Sequence, residues 1–132
     1  ALKKYSDTTS VIFLEESLHG DKLKTARRLF TEKIITSLPD VIITSNDLIA
    51  QGIISAAHEN GINIPNDMQI TGFDDSLSSA YFIPSVTTVS QNIDKLAKRC
   101  FSMLMDLINK KSAVSSIIEQ NIIARNSAKI NI

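Results

Sequence analysis

Three short polar clusters carry most of the chemistry available to this sequence. Ser45-Asn46-Asp47, Asp74-Asp75 and Ser90-Gln91-Asn92 each follow directly on an apolar run. Carboxylates accept hydrogen bonds, and primary amides both donate and accept in fixed planes, which suits the vicinal hydroxyls of a sugar or the edge of a purine. Asn46, Asp74 and Gln91 would supply carboxylate, amide-acceptor and amide-donor functions to one cleft. The same residue types also cap helices, because a short polar side chain can accept from the first unpaired backbone N–H groups. Asp47 and Asn92 are read as caps, and Asp75 fits either role equally. For Asn46 and Asp74, spacing alone leaves both roles open.

Catalytic constellations are missing from the sequence pattern. Ser6, Ser10, Ser78 and Ser79 lie outside any Gly-x-Ser-x-Gly turn. His19 and His58 have no ligand spacing to each other or to Cys100. Gly20, Gly52, Gly61 and Gly72 stand too far apart for a phosphate-cradling loop. Glu15-Glu16 reads as a solvated loop. The expectation is therefore no enzyme activity, no metal and no cofactor.

Composition narrows the class further. The 132 residues suit one compact domain, and a 43% hydrophobic content allows it a core. Fourteen Lys and Arg balance fourteen Asp and Glu, with no basic stripe, so this chain is not expected to grip a nucleic-acid backbone by itself. Apolar runs such as Val41-Ile42-Ile43 are too short to cross a bilayer, and no membrane partner is expected. Lys3 and Lys4 lead into Ser6-Asp7-Thr8-Thr9 rather than the apolar core of a signal peptide. Cys100, the single cysteine, excludes an internal disulfide and fits a reducing compartment. Its neighbours Leu96, Ala97, Phe101 and Leu104 predict a small core hydrophobe.

The elements that must position the polar clusters alternate along the chain. Ser10–Leu14 reads as a buried strand. A helix runs from Gly20 to about Ser37, capped by Asp21, with Leu23, Ala26, Leu29, Phe30 and Ile34 on one face. Val41–Thr44 is a second buried strand, followed by a helix from about Asp47 to Asn60 that ends at Gly61, a good left-handed residue. Met68–Phe73 predicts a third strand, Ser76–Phe82 a short helix and Val86–Val89 a fourth strand. Residues 93–109 carry the clearest period, with Ile93, Leu96, Ala97, Cys100, Phe101, Leu104, Met105 and Ile108 on one face. Ile117–Ala124 is β-branched and extended. Strand and helix in alternation predict an α/β fold, a parallel sheet flanked by helices. Ligands of such sheets bind beyond the carboxyl ends of the strands, where the three polar clusters fall.

Four stretches resemble the LacI/GalR repressor family in order and spacing. They are Pro39 to Gly52 around Ser45-Asn46-Asp47, Gly61 to Asp75 around Gly72-Phe73-Asp74-Asp75, Pro84 to Asn92, and Ile122 to Ser127 with its Arg-x-Ser ending. The resemblance implies part of a type I lobe of a periplasmic-binding-protein-like effector module, one of two lobes. It implies effector contacts at Asn46, Asp74, Gln91 and Ile93, and a position near Ser17 or Leu18 where an aromatic often stacks. No aromatic stands between Phe13 and Phe30, so that stacking is not expected. The implied homodimer surface comprises Leu48, Gln51, Ser55, Leu77, Tyr81 and Phe82, with packing on the chain's own sheet as the alternative for one of the two rings. Residues 1–91 would form the C-terminal lobe, 92–111 a helix crossing to the other lobe and 112–132 the closing strands. Ala1–Tyr5 reads as a helix already under way, which predicts a piece of something longer.

The resulting expectation is the effector-sensing and dimerisation module of a cytoplasmic DNA-binding repressor. Its effector would be a sugar or related polar metabolite, and operator DNA would be held by a headpiece that this sequence does not contain. The rival reading is a periplasmic sugar-binding protein of a transport system. Without the other lobe, Ser10–Leu14 is expected to close against Val41–Thr44, or a neighbouring molecule to fill the gap. The apolar face of helix 93–109 is expected to fold back, pair with another chain or lose order.

Overall fold

The computed structural model describes residues 20–130. The expectations for Ser10–Leu14, Ser17 and Leu18 lie outside those residues. Asp21 caps helix α1, Lys22–Leu29, by accepting from the Lys24 backbone N–H at 3.1 Å. The helix then widens into a π-helical turn, Phe30–Ile34, where the Ile35 N–H reaches back to the Phe30 carbonyl at 2.9 Å. Strand β1, Val41–Ile43, leads into helix α2, Asp47–Glu59. Strand β2, Gln69–Thr71, is followed by the one-turn helix α3, Leu77–Tyr81. Strand β3, Thr88–Ser90, precedes helix α4, Ile93–Ile108, and strand β4, Asn121–Ile123, follows.

β1 and β2 pair in parallel, with Ile42 opposite Ile70. A parallel bridge from Thr71 to Thr87 carries the sheet toward β3, and β4 closes antiparallel on β3 with Val89 opposite Ile122. The α/β fold with a parallel sheet flanked by helices is thus present, with an antiparallel strand at one edge. The core lies between α1, α2 and β2, where Ala26, Phe30, Ile53, Ile54, Met68, Ile70 and Val86 are buried. Gly52 lets α1 and α2 approach, since a Cβ there would stand 2.5 Å from the Leu23 carbonyl oxygen. Gly61, at φ +74, ends α2 as its sequence position predicts.

Two burial expectations are corrected. Val41 and Ile43 are exposed rather than buried, because among the described residues β1 has one paired neighbour and its outer flank is open. Cys100 is exposed, and Leu96, Phe101 and Leu104 with it. α4 satisfies its backbone by its own turns and packs extensively against no other element among the described residues. Its period marks a face to be covered without naming the cover.

Candidate functional site

The polar clusters meet where the parallel strands end. The one hydroxyl proton of Thr44, directly after β1, is shared between the carbonyls of Thr71 at 2.9 Å and Asn46 at 2.8 Å. This double contact ties the two strand ends together before α2 begins. Asn46 is extended and is the true cap of α2, its Oδ1 accepting from the Ile49 N–H at 3.0 Å. Asp47 was read as that cap and is not. An Asn-Asp pair has one capping position, and Asn46 takes it.

Asp47 instead turns inward, 1% exposed. Its Oδ1 accepts from the Thr88 hydroxyl at 2.6 Å and its Oδ2 from the Ser76 N–H at 2.7 Å. Its own N–H donates to the Phe73 carbonyl at 2.9 Å. One carboxylate therefore joins α2, β3 and the start of α3. Gly72 is the residue that leaves it room, because a Cβ at 72 would overlap Asp47 Oδ1.

Between Gly72 and Ser76 the chain makes an uncommon turn. Asp74 has φ +108 and Asp75 φ +55, two successive non-glycine residues in positive φ. Such backbone persists only when its surroundings over-determine it. Here the Asp74 N–H donates to the Val89 carbonyl at 3.0 Å and the Asp75 N–H to the Thr88 hydroxyl at 3.3 Å. The turn presents the Asp74 carboxylate to the end of β3, where Gln91 Nε2 donates to Asp74 Oδ1 at 2.6 Å. Both side chains are half-buried.

Of the four expected effector residues, the structure brings Asp74 and Gln91 into direct contact. Asn46 stands at the adjoining strand end with its side-chain oxygen bonded to α2 and its amide NH2 as the remaining donor group. Ile93 opens α4 and is exposed. Asn92 occupies the cap position of α4 but makes no capping bond. It sits at φ +51, and its amide donates to the Glu119 carbonyl instead.

Asp75 resolves as a structural partner. Its Oδ1 lies 2.6 Å from Arg125 Nη2, and Arg125 Nη1 donates to the Val86 carbonyl at 2.9 Å. Thr87 and Ser127 complete the attachment of the closing segment. Thr87 Oγ1 donates to the Arg125 carbonyl, and Ser127 Oγ accepts from the Thr87 N–H at 2.8 Å while donating to the Ile70 carbonyl at 2.7 Å. Sequence reasoning missed this set. The signal was Thr87-Thr88 inside an otherwise apolar strand, since two hydroxyls at buried positions must find partners.

The six expected dimer residues divide. Leu48, Leu77 and Tyr81 are exposed. Gln51 is buried and donates to the hydroxyls of Ser78 and Ser79, Ser55 accepts from Arg27, and Phe82 packs against the core. A groove of about 400 Å³ lined by Ile54, His58, Ile62, Ile64 and Pro84 lies at the far end of α2 from Asn46, remote from the polar clusters.

Residues 6–128 match the family model of the periplasmic binding protein-like domain. A transcriptional repressor from Pasteurella multocida, PurR of the helix-turn-helix type, is 35% identical over 95 residues, covering 70% of this chain and 28% of the repressor. A periplasmic binding ribose operon repressor from Lactobacillus acidophilus has a similar structure, with a TM-score of 0.77 and 30% identity over 89% of this chain and 44% of its own. A LacI family transcriptional regulator from Enterococcus faecium, solved with bound ribose, gives 0.74 and 25% over 80% and 40%. This chain spans less than half the length of each.

Proposed function

Because the chain belongs to the periplasmic binding protein-like family, in the form carried by LacI/GalR regulators, we propose that it serves as the effector-sensing part of a DNA-binding repressor. The supporting observation is the Gln91–Asp74 pair, a carboxylate and an amide joined at 2.6 Å beyond the ends of parallel strands. That pair, with Asn46 beside it, presents acceptors and donors to a polar ligand, and Ile93 offers an apolar edge. The effector class is a sugar or related polyhydroxylated metabolite, and the ribose held by a structural relative makes ribose the first probe. The named relatives are transcription regulators, which favours this reading over a transport protein. Operator DNA would be contacted by other parts of the intact protein, in the cytoplasm. Effector binding would alter DNA affinity by favouring one of two arrangements of the module.

The test is calorimetric. In the intact regulator, Asp74→Ala is expected to weaken effector binding by about 1–3 kcal/mol, the cost of leaving ligand hydroxyls without their acceptor. Equal affinity of variant and wild type removes Asp74 from the site and the reading with it.

The same regulator would dimerise through Leu48, Leu77 and Tyr81, exposed apolar side chains on α2 and α3. Tyr81→Asp is expected to shift sedimentation from dimer toward monomer and weaken operator binding at least ten-fold, since two half-sites need two headpieces. Phe82, partly buried against the core, is a less direct test, because its replacement would also disturb the fold. An unchanged sedimentation profile of the Tyr81 variant rejects the surface.

A further inference from the structure

We propose that Arg125 is a positioning residue for the effector site, holding the Asp74 carboxylate against Gln91 by anchoring Asp75. This rests on the reading of Asp74 and Gln91 as effector contacts and names the device that sets their geometry.

The inference begins with the turn itself. Asp74 and Asp75 both occupy positive φ, which costs an ordinary side chain of the order of 1 kcal/mol or more and must be held from outside. The backbone ties on Asp74 and Asp75 are two, to the Val89 carbonyl and to the Thr88 hydroxyl, and the second is long at 3.3 Å. Asp47 fixes the far end of the turn through the Ser76 N–H. Besides the Gln91–Asp74 contact itself, the turn is tied by the ion pair from Asp75 Oδ1 to Arg125 Nη2 at 2.6 Å.

Arg125 is suited to act as an anchor. Its guanidinium also donates to the Val86 carbonyl, and its own N–H donates to Thr87 Oγ1 at 2.9 Å. Two residues on, Ser127 is fully buried between Thr87 and Ile70. The arginine is thus fixed at its backbone before it reaches Asp75. Side-chain exposures of 17% for Arg125 and 26% for Asp75 set the pair apart from a solvated surface bridge, which contributes little. Without Arg125, Asp75 can leave the left-handed region, and the peptide joining it to Asp74 rotates. Asp74 Oδ1 then departs from Gln91 Nε2. A cation on the closing segment thereby sets the orientation of a carboxylate on another strand end.

The experiment uses the 132-residue chain and needs no effector. Side-chain amide protons of Gln91 are followed by nitrogen-resolved NMR in the wild type, Arg125→Met, Arg125→Lys and Asp75→Asn. Arg125→Met and Asp75→Asn are each expected to speed exchange of the Gln91 amide several-fold, up to about ten-fold, the factor for one ordinary hydrogen bond. Arg125→Lys, which keeps the charge, is expected to restore part of the protection. If Arg125 merely glues the closing segment to the sheet, melting temperature falls while the Gln91 signal stays where it was, and the proposal is overturned. Should Arg125→Met fail to fold, Asp75→Asn decides alone, because it keeps the size and the backbone N–H of the native residue. An unmoved Gln91 signal leaves the effector assignment standing. Failure of the Asp74→Ala calorimetry instead removes the assignment and leaves Arg125 as a tether of that turn.

Discussion

Asp47→Ala is expected to lower the stability of the fold by about 2–4 kcal/mol, about 1–3 for the buried Thr88 donor and about 1 for the part-buried Ser76 N–H. The Thr88 hydroxyl and the Ser76 N–H both lose their acceptor, in surroundings where Asp47 is 1% exposed and the neighbouring Thr88 is equally enclosed. Alanine also leaves the space that Gly72 keeps open beside the carboxylate. Asp47→Asn should cost less, since the amide oxygen can still accept one of the two bonds. Thr88→Val isolates one arm, and in the double variant with Asp47→Ala the two losses should not add, because one donor has been removed with its acceptor. Urea denaturation with an unchanged m-value is the measurement. A loss under about 1 kcal/mol for Asp47→Ala would mean that water replaces the carboxylate and that the residue does not organise the strand ends.

The sequence made the architecture legible because period and punctuation agreed. Asp21 before the first helix, Gly61 after the second and the apolar face of residues 93–109 each specify local structure without help from distant residues. Among the described residues the expected strands were located, but their bounds slid by one to four residues: Val86–Val89 became Thr88–Ser90, and Ile117–Ala124 shrank to Asn121–Ile123. Apolar runs show where extended chain can be buried, while pairing partners fix which residues count as strand.

At the site, the same distinction appears more sharply. The sheet rule located the polar clusters that hold Asp74 and Gln91, their effector role is what the family resemblance implies, and the two side chains touch. The roles of Asp47, Asp75 and Arg125 were not legible, because each depends on a residue 29 to 50 positions away. Capping is a local property and ion pairing across a sheet is not. Cys100 failed for a related reason: amphipathicity identifies the face of α4 and leaves its occupant to tertiary structure.

Phe30→Ala is expected to cost about 3–5 kcal/mol, by loss of a buried ring and the cavity left behind. Phe30 is fully buried and heads the largest enclosed side chains among the described residues. It shares the core with Ala26, Leu29, Ala50, Ile53, Ile54, Ala57 and Ile70, contributed by two helices and β2. Many of those neighbours are alanines, which are too short to close over the gap. The π-helical turn that starts at Phe30 restricts collapse further, since its Phe30-to-Ile35 hydrogen bond sets how far that segment can settle toward α2. Against a typical domain stability of about 5–15 kcal/mol, the loss is a large share of the whole. Phe30→Leu refills most of the volume and should retain most of the stability. Chemical and thermal denaturation of both variants check the ranking. Equal stability of Phe30→Ala and Phe30→Leu would show that the ring is not what fills this core, and that α1 and α2 close on each other through the contact at Gly52 instead.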